Sequence, residues 1–289
     1  MTEYENVRYE RVGRVARVTL DRPRYRNAQS RRLLEELDDA LARAADDREV
    51  GVITVWGAGD HFSAGHDLGT PEQRADLDAR PPEAGLRGRY AQSWDNNVDK
   101  SLRWRNLPKP TIAAVQGYCI FGGWIIASAM DLIFAADDAM FLGTNFQYFS
   151  IPWDLHPRQA KELLFESRFV DAAEAKELGL VNRVVPRARL EDEVMEYAAR
   201  VAENDPFQLR MIKLAINQAQ DAQGFTAHIN GAFALHLLSA SGESDPGYAL
   251  KKPMDSGQRR RPMVERAMEN FERERARRAG ANDGAPNEA

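Results

Sequence analysis

A single cysteine, Cys119, occurs in the 289 residues. It excludes an intramolecular disulfide and any metal centre built on several thiolates. No apolar run approaches the ~20 residues that a membrane-spanning helix needs. Basic residues do not predominate. The formal net charge is −5, whereas dedicated nucleic-acid binders usually carry a basic excess. The opening residues, Met1-Thr2-Glu3-Tyr4-Glu5, are acidic and polar, unlike a secretory signal or a transit peptide. No internal repeat is visible. These absences lead to the expectation of a soluble cytoplasmic protein with no nucleic-acid partner, no membrane partner, no metal and no resident cofactor.

Apolar residues make up 43% of the chain, enough for one large core or two small ones. Val15-Ala16-Arg17-Val18-Thr19-Leu20 reads as a strand. Ser30 is placed to cap a helix on which Leu33, Leu34, Leu37, Leu41 and Ala45 recur at helical spacing. Val52-Ile53-Thr54-Val55-Trp56 and Thr111-Ile112-Ala113-Ala114-Val115 read as buried strands. Residues 70–88, polar with two adjacent prolines, read as a loop, and 90–106 as a helix. Residues 122–130 read as a buried helix, 131–136 and 180–185 as strands, and 190–239 as helices broken near Pro206 and Gly224. Strands alternating with helices, followed by helices alone, imply an α/β core with a helical C-terminal portion. The expected divisions are 1–205, 206–257, and 258–289 as a charged helix with a disordered end. The alternating charges after Arg259-Arg260-Arg261 read as a solvated helix face.

Two stretches stand out chemically. Phe62-Ser63-Ala64-Gly65-His66-Asp67-Leu68 and Gly117-Tyr118-Cys119-Ile120-Phe121-Gly122-Gly123-Trp124 are both small-residue turns that follow strands. Two such turns can aim two backbone N–H groups at one carbonyl oxygen, an oxyanion hole that needs no side chain. Asp67 reads as a residue that ties its own turn by hydrogen bonds. Cys119 reads as a small buried residue.

Taken in order, several segments resemble the crotonase superfamily, also called the enoyl-CoA hydratase/isomerase family. They are Asp21-Arg22-Pro23 with Arg26-Asn27-Ala28, then Ser63 to Leu68, and Lys109-Pro110-Thr111 running into Gly117-Tyr118 and Gly122-Gly123. Asp131-Leu132-Ile133, Ala172-Ala173-Glu174-Ala175 and Gly179-Leu180-Val181-Asn182-Arg183-Val184-Val185-Pro186 follow. The likeness runs from about residue 5 to about residue 255. It implies an α/β spiral of ββα turns, a helical C-terminal trimerisation region, a homotrimer or homohexamer, and an acyl-CoA thioester substrate that brings coenzyme A with it. It implies that the backbone N–H groups of His66 and Gly122 hold the thioester oxygen, worth ~3–4 kcal/mol each in an enolate-like transition state. The same resemblance assigns Arg26, Asn27, Ala28, Ala64 and Asp67 to coenzyme A, with Lys251 and Lys252 as a C-terminal basic pair. It assigns Ile125, Trp124, Tyr148 and Trp153 to the acyl pocket.

Hydration of an enoyl thioester needs an acid and a base. The family's hydratases carry two glutamates for this, and the corresponding positions here are Ile125 and Asn145. Ile125 moves no proton, and Asn145 orients or polarises but is no base. Asp154 and His156, in Ile151-Pro152-Trp153-Asp154-Leu155-His156-Pro157, are the remaining candidates. An aspartate among Ile, Trp and Leu is expected to have a raised pKa suited to proton transfer. In plainer readings Asp154 caps the following helix and His156 belongs to the turn. Three functions stay open: an isomerase or atypical lyase using Asp154, a decarboxylase or C–C bond hydrolase with His66 and Asn145 shaping the pocket, and a silent CoA-binding protein.

Overall fold

The computed structural model describes residues 4–143, 147–241 and 263–282. In chain order the elements are β1 (Val7–Val12), β2 (Val15–Leu20), α1 (Arg31–Asp46), β3 (Val52–Gly57), α2 (Pro71–Ala79), α3 (Gly85–Ser93), α4 (Lys100–Arg105), β4 (Thr111–Val115), β5 (Tyr118–Ile120) and α5 (Gly122–Ser128). There follow β6 (Leu132–Ala136), β7 (Met140–Leu142), α6 (Ile151–Asp154), α7 (Pro157–Glu166), β8 (Val170–Asp171), α8 (Ala172–Glu177), β9 (Arg183–Val185), α9 (Leu190–Ala202), α10 (Pro206–Ala222), α11 (Phe225–Ser241) and α12 (Met263–Asn282).

The apolar strands form a six-stranded sheet in the order β1-β2-β3-β4-β6-β9, and β5-β7-β8 form a smaller sheet. Only the β1–β2 hairpin of the large sheet is antiparallel. β2, β3, β4 and β6 read as near-continuous apolar runs because both faces of a parallel sheet are covered. One face carries α1, capped by Ser30 and buried through Leu33, Leu34, Leu37, Ala40, Leu41 and Ala44. The other carries α9, whose Leu190, Val194, Ala198 and Ala202 pack on Val15, Val52, Trp56 and Ile112.

Each chain pass contributes a long strand to the large sheet, then a short extended segment to the small one. β4 leads to β5, and β6 leads to β7. β3 leads to Ser63, which bridges in parallel to Cys119 of β5. The same stacking repeats one pass earlier, where Gln29 bridges to His66. The passes are therefore successive turns of a spiral, and corresponding loops come to lie one above the next.

Residues 70–88, expected as a loop, instead contain α2 and the start of α3. Thr70 Oγ1 accepts from Gln73 N at 3.3 Å to start α2, and Arg31 holds Asp76 at 2.7 Å. α2 buries no residue and α3 buries only Gly88, so neither leaves an apolar stripe to read. The expected helix over 90–106 widens into a π-helical turn at residues 94–99. The strand expected over 180–185 is confined to β9. The C-terminal breaks fall where expected: Asp205 caps α10 at Pro206, and Gly224 takes φ +104° ahead of α11. α12 is charged on its outer side but buries Ala267 and Phe271 against Ile120, Leu142 and Phe169, so it is more than a solvated face. Arg259, Arg260, Arg261 and the last seven residues lie outside the described residues.

Candidate active site

The two small-residue turns occupy corresponding places on consecutive spiral passes, and the stacking brings them together. Ile120 N donates to Ser63 O at 3.0 Å and Ser63 N to Tyr118 O at 2.9 Å. Gly65, at φ +88°, faces the other turn so closely that a Cβ on it would lie 2.7 Å from Ile120 O and 3.4 Å from Gly122 N. Only glycine allows that approach. A Cβ on Gly122 would in turn lie 2.2 Å from Gln29 Oε1 and 3.0 Å from His66 Cε1. Gly122 opens α5, so its N–H is among those a helix leaves without an internal acceptor. Among the described residues, the backbone N–H groups of His66 and Gly122 both lack an acceptor.

The His66 side chain closes one end of this pair. Its Nε2 meets Gln147 Oε1 at 2.8 Å. Burial lowers its pKa, against a smaller opposing effect of Gln147, so the ring is neutral at neutral pH. With Gln147 Oε1 accepting, Nε2 carries the proton and Nδ1 is left as an acceptor. From α11, the half-buried His236 reaches the same neighbourhood. Burial lowers its pKa and the proximity of His66 lowers it further. Gln29, Gln147 and His236 were not foreseen from the sequence.

Around the His66 turn, the residues expected to contact coenzyme A divide into two kinds. Asn27 is fully buried: its Oδ1 accepts from Arg22 N at 2.9 Å, and its Nδ2 donates to Ala58 O and His61 O at 2.9 and 2.8 Å. The Asp67 carboxylate accepts from Arg22, Gly69 N, Thr70 N and the Thr70 hydroxyl at 2.7–3.0 Å. Asn27 and Asp67 therefore build the turn, as read for Asp67, and offer no free side chain outward. Arg26 is exposed and Ala28 and Ala64 are half-buried, with Ala64 N bonded to Arg26 O at 2.8 Å. These three face outward together.

Burial pushes the Asp67 carboxyl up, but its hydrogen bonds from Thr70, Gly69 and Arg22 outweigh this and lower it. Its stabilising effect is therefore present above the ordinary carboxylate range and is lost as pH falls through its lower native value. Asp67→Ala, which strands Arg22 in a buried site, is expected to lower unfolding free energy by about 3–5 kcal/mol. Urea unfolding at pH 7 checks this.

Asp154 ends α6 and opens on a cavity of about 500 Å³, also lined by Arg105, Tyr148, Ser150, Lys213 and Phe225. Its side chain is exposed on this cavity in one copy of the chain. The crowding pushes its carboxyl up to about 7, with the Ser150 hydroxyl pulling the other way. Tyr148 OH is buried and lacks a partner among the described residues. Burial, then Asp154, pushes the Tyr148 phenol up. Ser128 and Ala129, at the C-terminal end of α5, line this cavity, about 9 Å along the helix from Gly122. Gln147, against His66, and Tyr148, in the cavity, are consecutive residues, so one short segment separates the two places.

His156 is the cap of α7. Its Nδ1 accepts from Arg158 N at 3.4 Å, and Gln159 Oε1 accepts from His156 N at 3.3 Å. It is exposed, and this is a structural role. The capping expected of Asp154 thus falls to His156. Ile125 and Trp124 are buried in α5, Trp124 edge-on to Phe141. Trp153 Nε1 meets His228 Nδ1 of α11 at 3.0 Å and its ring packs on Phe225.

The profile of the enoyl-CoA hydratase/isomerase family matches residues 10–237. The chain belongs to this family. A curated relative, the putative enoyl-CoA hydratase EchA13 of Mycobacterium tuberculosis, is 38% identical over 258 residues, covering 82% of this chain and 81% of the relative. A solved structure of a probable enoyl-CoA hydratase from Mycobacterium smegmatis is 42% identical with a TM-score of 0.75, over 83% of this chain and 96% of that one. Another, from Mycobacterium thermoresistibile, is 43% identical with a TM-score of 0.75, over 82% and 97%. The α/β spiral with helices at its C-terminal end is the crotonase fold.

Within this crotonase fold, Arg26, Ala28, Ala64, His66 and Gly122 come together. Asn145, Lys251 and Lys252 lie outside the described residues. Ile125 leaves the first turn of α5 without an ionisable side chain next to the unpaired N–H groups. Among the described residues no carboxylate acts on the His66 ring, whose pKa is set by burial and Gln147. No helix among the described residues is long and apolar enough to cross a membrane.

Proposed function

We propose that this family member binds an acyl-CoA thioester and turns it over through a thioester enolate. The observation that carries this reading is the pair of N–H groups at His66 and Gly122, unpartnered among the described residues, on turns that consecutive spiral passes bring side by side. Each fixed donor is worth about 3–4 kcal/mol when negative charge develops on the oxygen. Arg26, Ala28 and Ala64 receive the coenzyme A portion, and Lys251 and Lys252 belong with them.

Asp154 is the proton-transfer group in this reading. A carboxyl near 7 is present in both forms at neutral pH, which suits a group that takes a proton from one carbon and returns it to another. With Ile125 and Asn145 at the hydratase positions, the reaction is an isomerisation or an atypical lyase step and not standard hydration. A second reading, decarboxylation or C–C cleavage of a malonyl-type or β-keto thioester, is favoured by the neutral His66–Gln147 pair. Such chemistry needs enolate stabilisation and no strong base.

Assays of the purified protein with crotonyl-, 3-enoyl- and malonyl-type thioesters test these readings. Turnover of the 3-enoyl substrate is expected. Thioester binding with no turnover of any would replace the enzyme reading with that of a silent CoA-binding protein.

We also propose a homotrimer or homohexamer in the cytoplasm. Phe207, Ile212, Leu214 and Ile216 on α10 and Leu235 and Leu238 on α11 are large, apolar and exposed in one copy of the chain, as expected of a surface covered by other copies. Light scattering should give three or six times the 32.5 kDa chain mass.

A further inference from the structure

Phe121 immediately precedes Gly122 and lies at φ +46°, ψ −104°. Residues with a side chain avoid this half of the conformational map, and such strain persists only where the surroundings over-determine it. Here the surroundings are explicit. Phe121 N donates to Leu142 O at 2.7 Å, and Phe121 O accepts from Ile125 N at 3.1 Å. Its Cβ would lie 3.3 Å from a Cβ placed on Gly65, so the base of the side chain rests on the turn that carries His66. The side chain packs against a cluster of Ile120, Leu142, Phe169, Ala267 and Phe271. Phe121 thus stands between the two turns and fixes the direction of the peptide that carries the Gly122 N–H.

Ala267 and Phe271 of that cluster belong to α12, and Val264 and Met268 of the same helix pack against it. α12 is tied down by Phe169 N to Ala267 O at 3.4 Å, by Asn270 Nδ2 to Glu166 O at 2.7 Å, and by Arg278 to Glu174 at 2.6 Å. Glu174 is gripped in turn by Arg168 through two bonds of 2.7 Å.

We infer that Phe121 is a positioning residue for the oxyanion hole and that α12 clamps it in its strained conformation, so that turnover depends on a helix that supplies no donor to the hole. The inference rests on the enolate reading above. Loosening α12 lets the backbone at Phe121 relax and the Gly122 N–H swing away. Glycine at position 121 adopts the same φ without strain but has no side chain to hold the peptide, so α12 has nothing there to clamp.

The test compares four proteins: the unmodified chain, Phe271→Ala, Phe121→Gly, and the double variant. The readouts are the carbonyl stretch of a bound acyl-CoA labelled with ¹³C at the thioester carbon, and kcat and KM for the thioester that the unmodified protein turns over. Phe271→Ala should weaken the shift of the stretch to lower frequency and lower kcat about tenfold, with KM changed less than about threefold. Phe121→Gly should also lower kcat, by about tenfold, because it removes the side chain that fixes the peptide before Gly122, and Phe271→Ala should have no further effect in its background. Equal losses in both backgrounds, or no loss in either, would overturn the clamp while leaving the hole intact. No shift in the unmodified protein would overturn the hole and the clamp with it. Should Phe271→Ala fail to fold, Met268→Ala takes its place in the same cycle.

Discussion

Gly122→Ala is expected to lower thioester turnover about 10²–10³-fold, the effect of losing one oxyanion-hole donor. The new Cβ would lie 2.2 Å from Gln29 Oε1 and 3.0 Å from His66 Cε1, so the Gln29 side chain and one or both turns must shift. The loss should fall on kcat more than on KM, because the donor is needed most when charge develops on the oxygen. Gln29 is held loosely, its Nε2 reaching Ser63 Oγ at 3.5 Å. Gln29→Ala therefore makes room, and the double variant Gly122→Ala/Gln29→Ala should recover at least about tenfold of the lost kcat. Steady-state kinetics on the three variants, with melting curves to confirm folding, provide the check. Without any recovery, the collision would not be the cause of the loss.

Asp154→Ala is expected to cost about 10²–10⁴-fold in turnover of a 3-enoyl thioester, the usual contribution of a positioned acid–base group. The pH profile identifies the role. Burial pushes the carboxyl up to about 7, and the carboxylate is the form that accepts a proton. The rate should therefore rise with pH through a midpoint near 7 in the unmodified protein and be flat there in the variant. Stability carries the same signature with the opposite sign. Between the ordinary 3.8 and about 7, the native state holds a proton that the unfolded chain has released, so the unmodified protein loses stability as pH rises across that window. Asp154→Asn lacks this loss, and its melting temperature relative to the unmodified protein should rise from pH 5 to pH 8. Full activity of Asp154→Ala toward a malonyl-type thioester, with no pH step, would move the assignment to decarboxylation.

The parts legible in the sequence are those where one local rule sufficed. The buried strands β2, β3 and β4 appear as apolar runs, α1 as a stripe of Leu and Ala behind a serine cap, and the paired turns as glycines after strands. The elements that escaped lack such a rule. α2 buries nothing, so no stripe marks it. α12 is legible as a charged helix but its packing is not, because it exposes charge along most of its length and commits only a few apolar side chains, which in sequence look like isolated residues. His156 caps a helix although histidine is not among the usual capping residues, so its place before Pro157 could be read either way. The contact of His66 with Gln147 spans 81 residues, and His236 comes from a helix beyond the spiral. Only the stacking of the spiral and the packing of α11 bring these groups together. Periodicity carries no information about such meetings, because what pairs them is the three-dimensional register of passes and not any spacing along the chain.

The central claim is that His66 N and Gly122 N together hold a thioester oxygen. A crystal structure with a bound, non-reactive acyl-CoA analogue tests it most directly. The account predicts the thioester oxygen within about 2.7–3.1 Å of both nitrogens, with the coenzyme A portion along Arg26, Ala28 and Ala64. A thioester oxygen bonded to neither nitrogen, with the ligand ordered, would contradict it.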